Sequence, residues 1–168
     1  MRPSGLQRGS SLIESAMLLP LLFLLLFGMV ELARISYTYY ALNKILTTVA
    51  SYVGSRQAVN FCDDGDATVA IAKTFAITGG NDPAGAPLVP NLEPANIRIG
   101  IERYDAASDS LAACECSVTG CDLAQGGTAP GYVVVSLADG YPVRLAVPFV
   151  NFEPIILRPQ IRMPYAGT

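Results

Sequence analysis

The sequence lacks histidine and tryptophan, and it is poor in charge, with only 15% of its 168 residues charged. Histidine is the side chain that most often moves protons near neutral pH, and it is a frequent zinc ligand. Its absence argues against both roles. The acidic residues are scattered and form no obvious catalytic pair. We therefore expect a protein that is not an enzyme and that holds no metal or other cofactor.

The few charges are divided unevenly along the chain. Residues 1–56 carry five basic and two acidic residues, a balance of +3, whereas residues 57–168 carry six basic and twelve acidic residues, a balance of −6. A nucleic-acid partner requires a basic surface that neutralises phosphates. The acidic part offers no such surface, so nucleic acid is not an expected partner.

An apolar run without any ionisable side chain extends from Ser15 to Val30. It is shorter than the ~20 residues that cross the hydrocarbon core, but the apolar pairs Leu12-Ile13 and Leu32-Ala33 extend it to a spanning length. Arg2 and Arg8 precede the run, so the positive-inside rule places the N-terminus in the cytoplasm. We expect a single-pass protein of the inner (cytoplasmic) membrane whose C-terminal part is periplasmic.

A cleaved secretory signal is the alternative interpretation of this run, because signals also place a basic segment before an apolar one. Two acidic residues argue against it. Glu14 interrupts the apolar region, and Glu31 occupies a position where a cleavage site ending at Ala33 would need a small residue.

Glu14 lies near the cytoplasmic edge of the apolar zone. A carboxylate within a membrane costs about 2.5–3.5 kcal/mol on insertion scales, so it is treated as functional and should have a partner. If the chain were cut between Gly9 and Ser10, Glu14 would become the fifth residue, and the new α-amine would be a cation for the carboxylate of a neighbouring copy. The plainer alternative is that Gly9 merely precedes a helix cap and that Glu14 reaches toward the headgroups.

Four motifs occur together in this region: Arg8-Gly9, then Glu14, then Leu-Leu-Pro-Leu-Leu-Phe-Leu-Leu-Leu-Phe-Gly at 18–28, and Val-Glu-Leu-Ala-Arg at 30–34. With these motifs, residues 8–56 resemble TadE-like proteins, the minor pseudopilins of the tight-adherence (Flp) pilus system. The resemblance implies cleavage between Gly9 and Ser10 by a prepilin peptidase and pairing of Glu14 with other pilin-like subunits. It also implies contact with the pilus assembly platform and a structural role in assembling a type IV-like pilus.

A second class of function stays open at this point. The chain would then be a stable single-span protein whose acidic outer domain binds an envelope partner, without processing and without entering a filament. Loss of residues 1–9 distinguishes the two, because only a pseudopilin requires it.

The pattern predicts three parts: a cytoplasmic leader over 1–9, a membrane-spanning and extended helix over 10–56, and an extracytoplasmic α+β domain over 57–168. The helix is expected to begin at Ser10 or Ser11, which are good N-caps. Pro20 lies inside it and predicts a kink, because proline removes a backbone donor.

Beyond the membrane, apolar residues of the helix recur at alternating steps of three and four. This seam packs either on the chain's own C-terminal domain or on another helix as a coiled coil. Its members are Leu32, Ile35, Tyr39, Leu42, Leu46, Val49 and Val53.

The outer domain is predicted to contain a second helix and a small antiparallel sheet. The helix should extend from Ala67 to Ile77, with Asp66 as its cap and Gly79-Gly80 as its end. Alternation and turn residues predict strands over 96–104, 111–118, 132–137 and 143–147, and the last two could pair as a hairpin. Prolines limit residues 155–163 to an edge strand or a short turn.

All four cysteines follow the apolar run. In an oxidising compartment an even number predicts two disulfides, with three possible pairings. A metal site is the alternative, but a Cys-x-Cys motif lacks the usual two-residue spacing and no fourth ligand is evident. The disulfide candidates are Cys62, Cys114, Cys116 and Cys121.

Overall fold

The computed structural model describes residues 7–116, 122–146 and 152–167. It consists of a long helix that leads into a small α+β domain, as the sequence predicts. In chain order the elements are α1 (Gln7–Gly54), α2 (Ala67–Thr78), β1 (Ile97–Asp105), β2 (Ser110–Ala113), β3 (Tyr132–Leu137), β4 (Tyr141–Val143), β5 (Ile155–Leu157) and β6 (Gln160–Pro164).

Helix α1 is already helical at Gln7, the first described residue, so it does not begin at Ser10 or Ser11 as predicted. A capping residue marks a favourable start, but glutamine and arginine have high helix propensity and extend the same hydrogen-bonded ladder. The helix continues through Pro20 and ends at Gly54, two residues before the predicted end at Arg56. The kink at Pro20 stays a prediction.

The second helix follows the sequence prediction closely. Asp66 caps α2 by accepting hydrogen bonds from the backbone amides of Thr68 and Val69. At the other end, Gly79 adopts the left-handed conformation (φ 73°), which costs glycine little, and its amide donates to the carbonyl of Phe75. Local signals were therefore sufficient for this element.

Four strands form one antiparallel sheet in the order β2-β1-β3-β6. Val135 lies opposite Ile99 on one side and opposite Ile161 on the other, so β3 is, like β1, an interior strand. Alternate side chains of β1 and β3 face the core, where Ile97, Ile101, Val133 and Val135 are at most 2% exposed. The sheet thus offers one apolar face to the rest of the domain.

The C-terminal part of α1 packs on this face. Its seam residues Leu42, Leu46, Val49 and Val53 are all 0% exposed. Within this stretch the seam serves the chain's own core, which decides between the two interpretations. Nearer the apolar run the seam is open, since Leu32 is 65% exposed and Tyr39 is 48% exposed.

Three strand predictions need correction. The strand predicted over 143–147 is instead β4, which ends at Val143, and residues 144–146 are not in a strand. β3 does not form a hairpin with the segment after it, because β1 and β6 occupy both of its edges; β4 instead pairs with β5 in a separate two-stranded sheet. β2 ends at Ala113, before the predicted Val118, because the chain turns away to the disulfide at Cys116. Residues 117–118 and 147 lie outside the described residues. β6 is an edge strand, within the limit that the prolines set.

Candidate functional site

The N-terminal half of α1 carries a long apolar surface that the rest of the described chain does not cover. Every large apolar side chain from Met17 to Val30 is at least 50% exposed. The stretch from Ile13 to Val30 is about 27 Å long at 1.5 Å per residue, close to the ~30 Å thickness of a hydrocarbon core. Among the described residues, α1 is the one helix long and apolar enough to span a membrane.

The predicted processing and pairing residues lie at the start of this helix. Gly9 and Ser10 are within its first turns, and Glu14 follows Ser10 by four residues, about one helical turn. The side chain of Glu14 is exposed. The helix therefore presents the carboxylate at the edge of the uncovered apolar surface, where it is accessible.

Two arginines join the helix to the outer domain. Nη1 of Arg34 lies 3.5 Å from Oε1 of Glu31, and its Nη2 donates a 3.0 Å hydrogen bond to the carbonyl of Arg144. Arg34 is one helical turn beyond Val30. A polar contact between the outer domain and α1 therefore lies directly after the apolar run.

A groove continues the exposed surface past this junction, between α1 and α2. Tyr37 is 73% exposed and Tyr40 is 69% exposed, and the lining of the groove also includes Lys44, Phe75 and Leu88. Tyrosines are enriched where a helix leaves the hydrocarbon, because the ring is apolar and the hydroxyl is polar. Their position fits a helix that crosses an interface at this level.

Cys62 and Cys116 form a disulfide that joins the loop after α1 to the segment after β2, across 54 residues of sequence. Cys114 is also disulfide-bonded. Cys121, the fourth candidate, lies outside the described residues. The prediction of a disulfide is confirmed for Cys62 and Cys116, and Cys116 is thereby removed from the alternative metal site.

The acidic loop before α2, residues 63–66, makes hydrogen bonds and an ion pair within the domain. Oδ1 of Asp64 lies 2.8 Å from Nζ of Lys73, whose side chain is only 5% exposed, and Asp63 accepts from the amide of Gly65. Burial favours a raised pKa for Asp66, but hydrogen bonds from the amides of Asn60, Val69 and Thr68 outweigh it and lower the pKa. No cluster of metal-ligating side chains occurs among the residues that the structure describes.

Sequence reasoning missed Asp122. It is 0% exposed, and its Oδ2 accepts a 2.6 Å hydrogen bond from the amide of Phe61. Burial, and then the charge of Asp122, raise the pKa of Tyr165. The cysteine and glycines around Asp122 indicate only a loop. The hydrogen bond to the amide of Phe61, 61 residues away, leaves no local pattern in the sequence.

The fold and the site together define a class of protein in which a small α+β domain follows a long helix with an uncovered apolar N-terminal half. Residues 9–50, about a quarter of the chain, match the model of the family described as TadE-like protein. The resemblance predicted from the sequence is thereby confirmed for this segment. The family suggests involvement in assembly of the tight-adherence pilus. No curated protein and no solved structure matches the chain.

Proposed function

We propose that this chain is a minor pseudopilin that assists assembly of a tight-adherence (Flp) type IV-like pilus and has no enzymatic activity of its own. The observation that carries the proposal is the uncovered apolar half of α1, which lies within the segment matched by the TadE-like family. An apolar surface of this size requires lipid, or the apolar helices of other subunits, to cover it.

In this proposal α1 spans the inner membrane with its N-terminus in the cytoplasm. Arg2 and Arg8 precede the apolar run, and the positive-inside rule retains such residues on the cytoplasmic side. The domain after α1, with its acidic balance and its Cys62–Cys116 disulfide, is then periplasmic, where disulfides persist.

A prepilin peptidase cleaves the chain between Gly9 and Ser10. Glycine has no side chain, so a protease can approach its backbone closely. The bond lies near the N-terminal end of α1, and helix ends open locally at a lower cost than helix interiors. Both features favour access to this bond over bonds deeper in the helix.

Cleavage creates an α-amine at Ser10, and Glu14 of a neighbouring pilin-like subunit provides the matching carboxylate. At the edge of the apolar layer the charges are screened less than in water, so the pair sets the register between helices. The partners are other pilin-like subunits and the pilus assembly platform, which meet the chain within the membrane.

Intact-mass measurement of the protein extracted from membranes tests the proposal. Cells with the matching peptidase should yield a mature form without residues 1–9, and cells without the peptidase should yield the full chain. A mature form that retains Met1 to Gly9 in the presence of the peptidase would refute processing. That result would favour the anchored protein whose acidic outer domain binds an envelope partner.

A further inference from the structure

Between β3 and β6 the chain runs back along α1 toward its apolar half. The amide of Ala166 donates to the carbonyl of Gly54 at 2.9 Å, and the amide of Tyr165 donates to the carbonyl of Gly131 at 3.1 Å. The start of β3 therefore lies beside the C-terminal end of α1. Arg144 is instead bound to Arg34, some twenty residues back along α1, which is about 30 Å at 1.5 Å per residue.

The contact between Arg34 and Arg144 defines a level relative to the apolar run. Helical side chains lean toward the helix N-terminus, so the guanidinium of Arg34 points back toward Val30. The carbonyl of Arg144 thus lies where α1 leaves its apolar stretch. If that stretch spans a membrane, this is the depth of the lipid headgroups.

Exposed apolar side chains are present at this level. Val143, next to Arg144, pairs with Ile155, and Pro142 pairs with Ile156. Ile155 is 42% exposed and Ile156 is 43% exposed, and Phe152, a little farther along, is 52% exposed. These three side chains together with Arg144 and Arg158 are called the juxtamembrane ribbon below.

The charges of the ribbon differ in sign from those of the domain around it. Arg144 and Arg158 are both exposed, and Glu153 is the one exposed acid within the described stretch from Phe152 to Arg158. The domain as a whole has twice as many acidic as basic residues. An arginine guanidinium can donate two parallel hydrogen bonds to phosphate oxygens. Apolar side chains beside it can enter the boundary between headgroups and acyl chains.

We propose that the juxtamembrane ribbon binds the periplasmic surface of the membrane that α1 spans. Phe152 and Ile156 enter the boundary between headgroups and acyl chains, and Arg144 contacts lipid phosphates. Arg158, at the other end of the ribbon beside Gly140, adds positive charge that attracts anionic lipid. This second attachment sets the tilt of the outer domain on the bilayer. The inference rests on the membrane span in the proposed function, and its occupant is the lipid surface and not another protein.

Because the chain has no tryptophan, single-tryptophan variants are clean reporters of depth. Phe152→Trp and Ile156→Trp should be made separately in the full chain and reconstituted into phosphatidylcholine–phosphatidylglycerol vesicles, with or without bromine on the acyl chains near the headgroup. Both reporters should show blue-shifted emission and lose most of their fluorescence with brominated lipid. If one of the two variants does not form the Cys62–Cys116 disulfide, the other variant is used alone.

Tyr104→Trp is the matched control. Tyr104 is 62% exposed and lies beyond Glu102, which pairs with Tyr132 at the end of the sheet far from the apolar run. Its emission should stay that of a tryptophan in water and should not respond to bromine. Equal quenching of this control would mean that the whole domain collapses onto lipid, and it would overturn the inference.

Phe23→Trp, near the middle of the apolar run, reports the span itself and is measured with bromine placed deep in the acyl chains. If this reporter is quenched and both ribbon reporters are not, the apolar run spans the membrane but the ribbon does not bind lipid. That result would refute the inference. If it is not quenched, the span is wrong and the inference fails with it.

Adding Arg144→Gln and Arg158→Gln to Phe152→Trp should weaken quenching in vesicles with anionic lipid; unchanged quenching would refute the phosphate contacts.

Discussion

The backbone amide of Phe61 donates a 2.6 Å hydrogen bond to Oδ2 of Asp122, and Asp122 is completely buried. The contact joins the loop that follows α1 to the loop that precedes β3. One residue farther, Cys62 is bonded to Cys116. A covalent and a polar link therefore hold neighbouring positions of the same loop against the sheet.

Asp122→Ala should destabilise the domain, because it leaves the buried amide of Phe61 without its acceptor. An unsatisfied buried polar group costs about 1–3 kcal/mol. Thermal unfolding in detergent, followed by circular dichroism of the full chain, measures the change in the free energy of unfolding. Asp122→Asn retains an oxygen at this position and should lose less; equal stability of wild type and Asp122→Ala would contradict the role.

The paired substitutions Cys62→Ser and Cys116→Ser should lower stability by about 4 kcal/mol, the chain-entropy value for a loop of 54 residues. By elimination we expect Cys114 to pair with Cys121, and the shorter loop should contribute only about 2 kcal/mol. Peptide mapping without reductant checks the connectivity in envelope-purified protein. Four free thiols would refute both bonds.

The cap at Asp66 should make stability depend on acid pH. Since the folded pKa lies below the ordinary 3.8, the carboxylate stabilises the fold above pH 3.8, and this part is lost as the pH falls through the lower folded value. Asp66→Ala should cost about 1 kcal/mol at neutral pH. Asp66→Asn can cap but cannot titrate, so its stability deficit relative to wild type should shrink in acid. A deficit constant with pH would contradict the assignment.

Gly9→Val should block processing, because a branched side chain fills the space that close approach of the peptidase requires. Gly28→Val is the matched control on the same helix, since a Cβ at Gly28 meets nothing within 4 Å. Immunoblots of membrane fractions separate the precursor from the shorter mature form. Normal processing of Gly9→Val would show that the cut lies elsewhere.

Glu14 should be needed for assembly and dispensable for insertion. Glu14→Leu makes the membrane segment more apolar, so insertion and steady-state level should hold while co-purification with pilin-like subunits falls. Glu14→Asp keeps the charge with a shorter reach and should be intermediate. If the Glu14→Leu protein is inserted, processed and still co-purifies at the normal level, Glu14 does not pair with the amine and reaches toward the headgroups instead.

The sequence by itself determined the features that depend on neighbouring residues. The apolar run from Ser15 to Val30, the cap at Asp66 and the helix end at Gly79 are properties of short segments, because composition and hydrogen bonds over a few residues decide them. The motifs around Gly9 and Glu14 predicted the family resemblance for the same reason. Their chemical roles stay predictions.

Only the tertiary structure decided the contacts between distant segments. The seam of α1 is uniform in sequence, yet Leu46 is buried and Leu32 is exposed, since the sheet covers one end of the helix only. Likewise β3 pairs with β6 and not with the nearer β4, and Cys62 pairs with Cys116 out of three equal choices. Such pairings depend on which surfaces bury the most apolar area together, a property of the assembled core that no local pattern encodes.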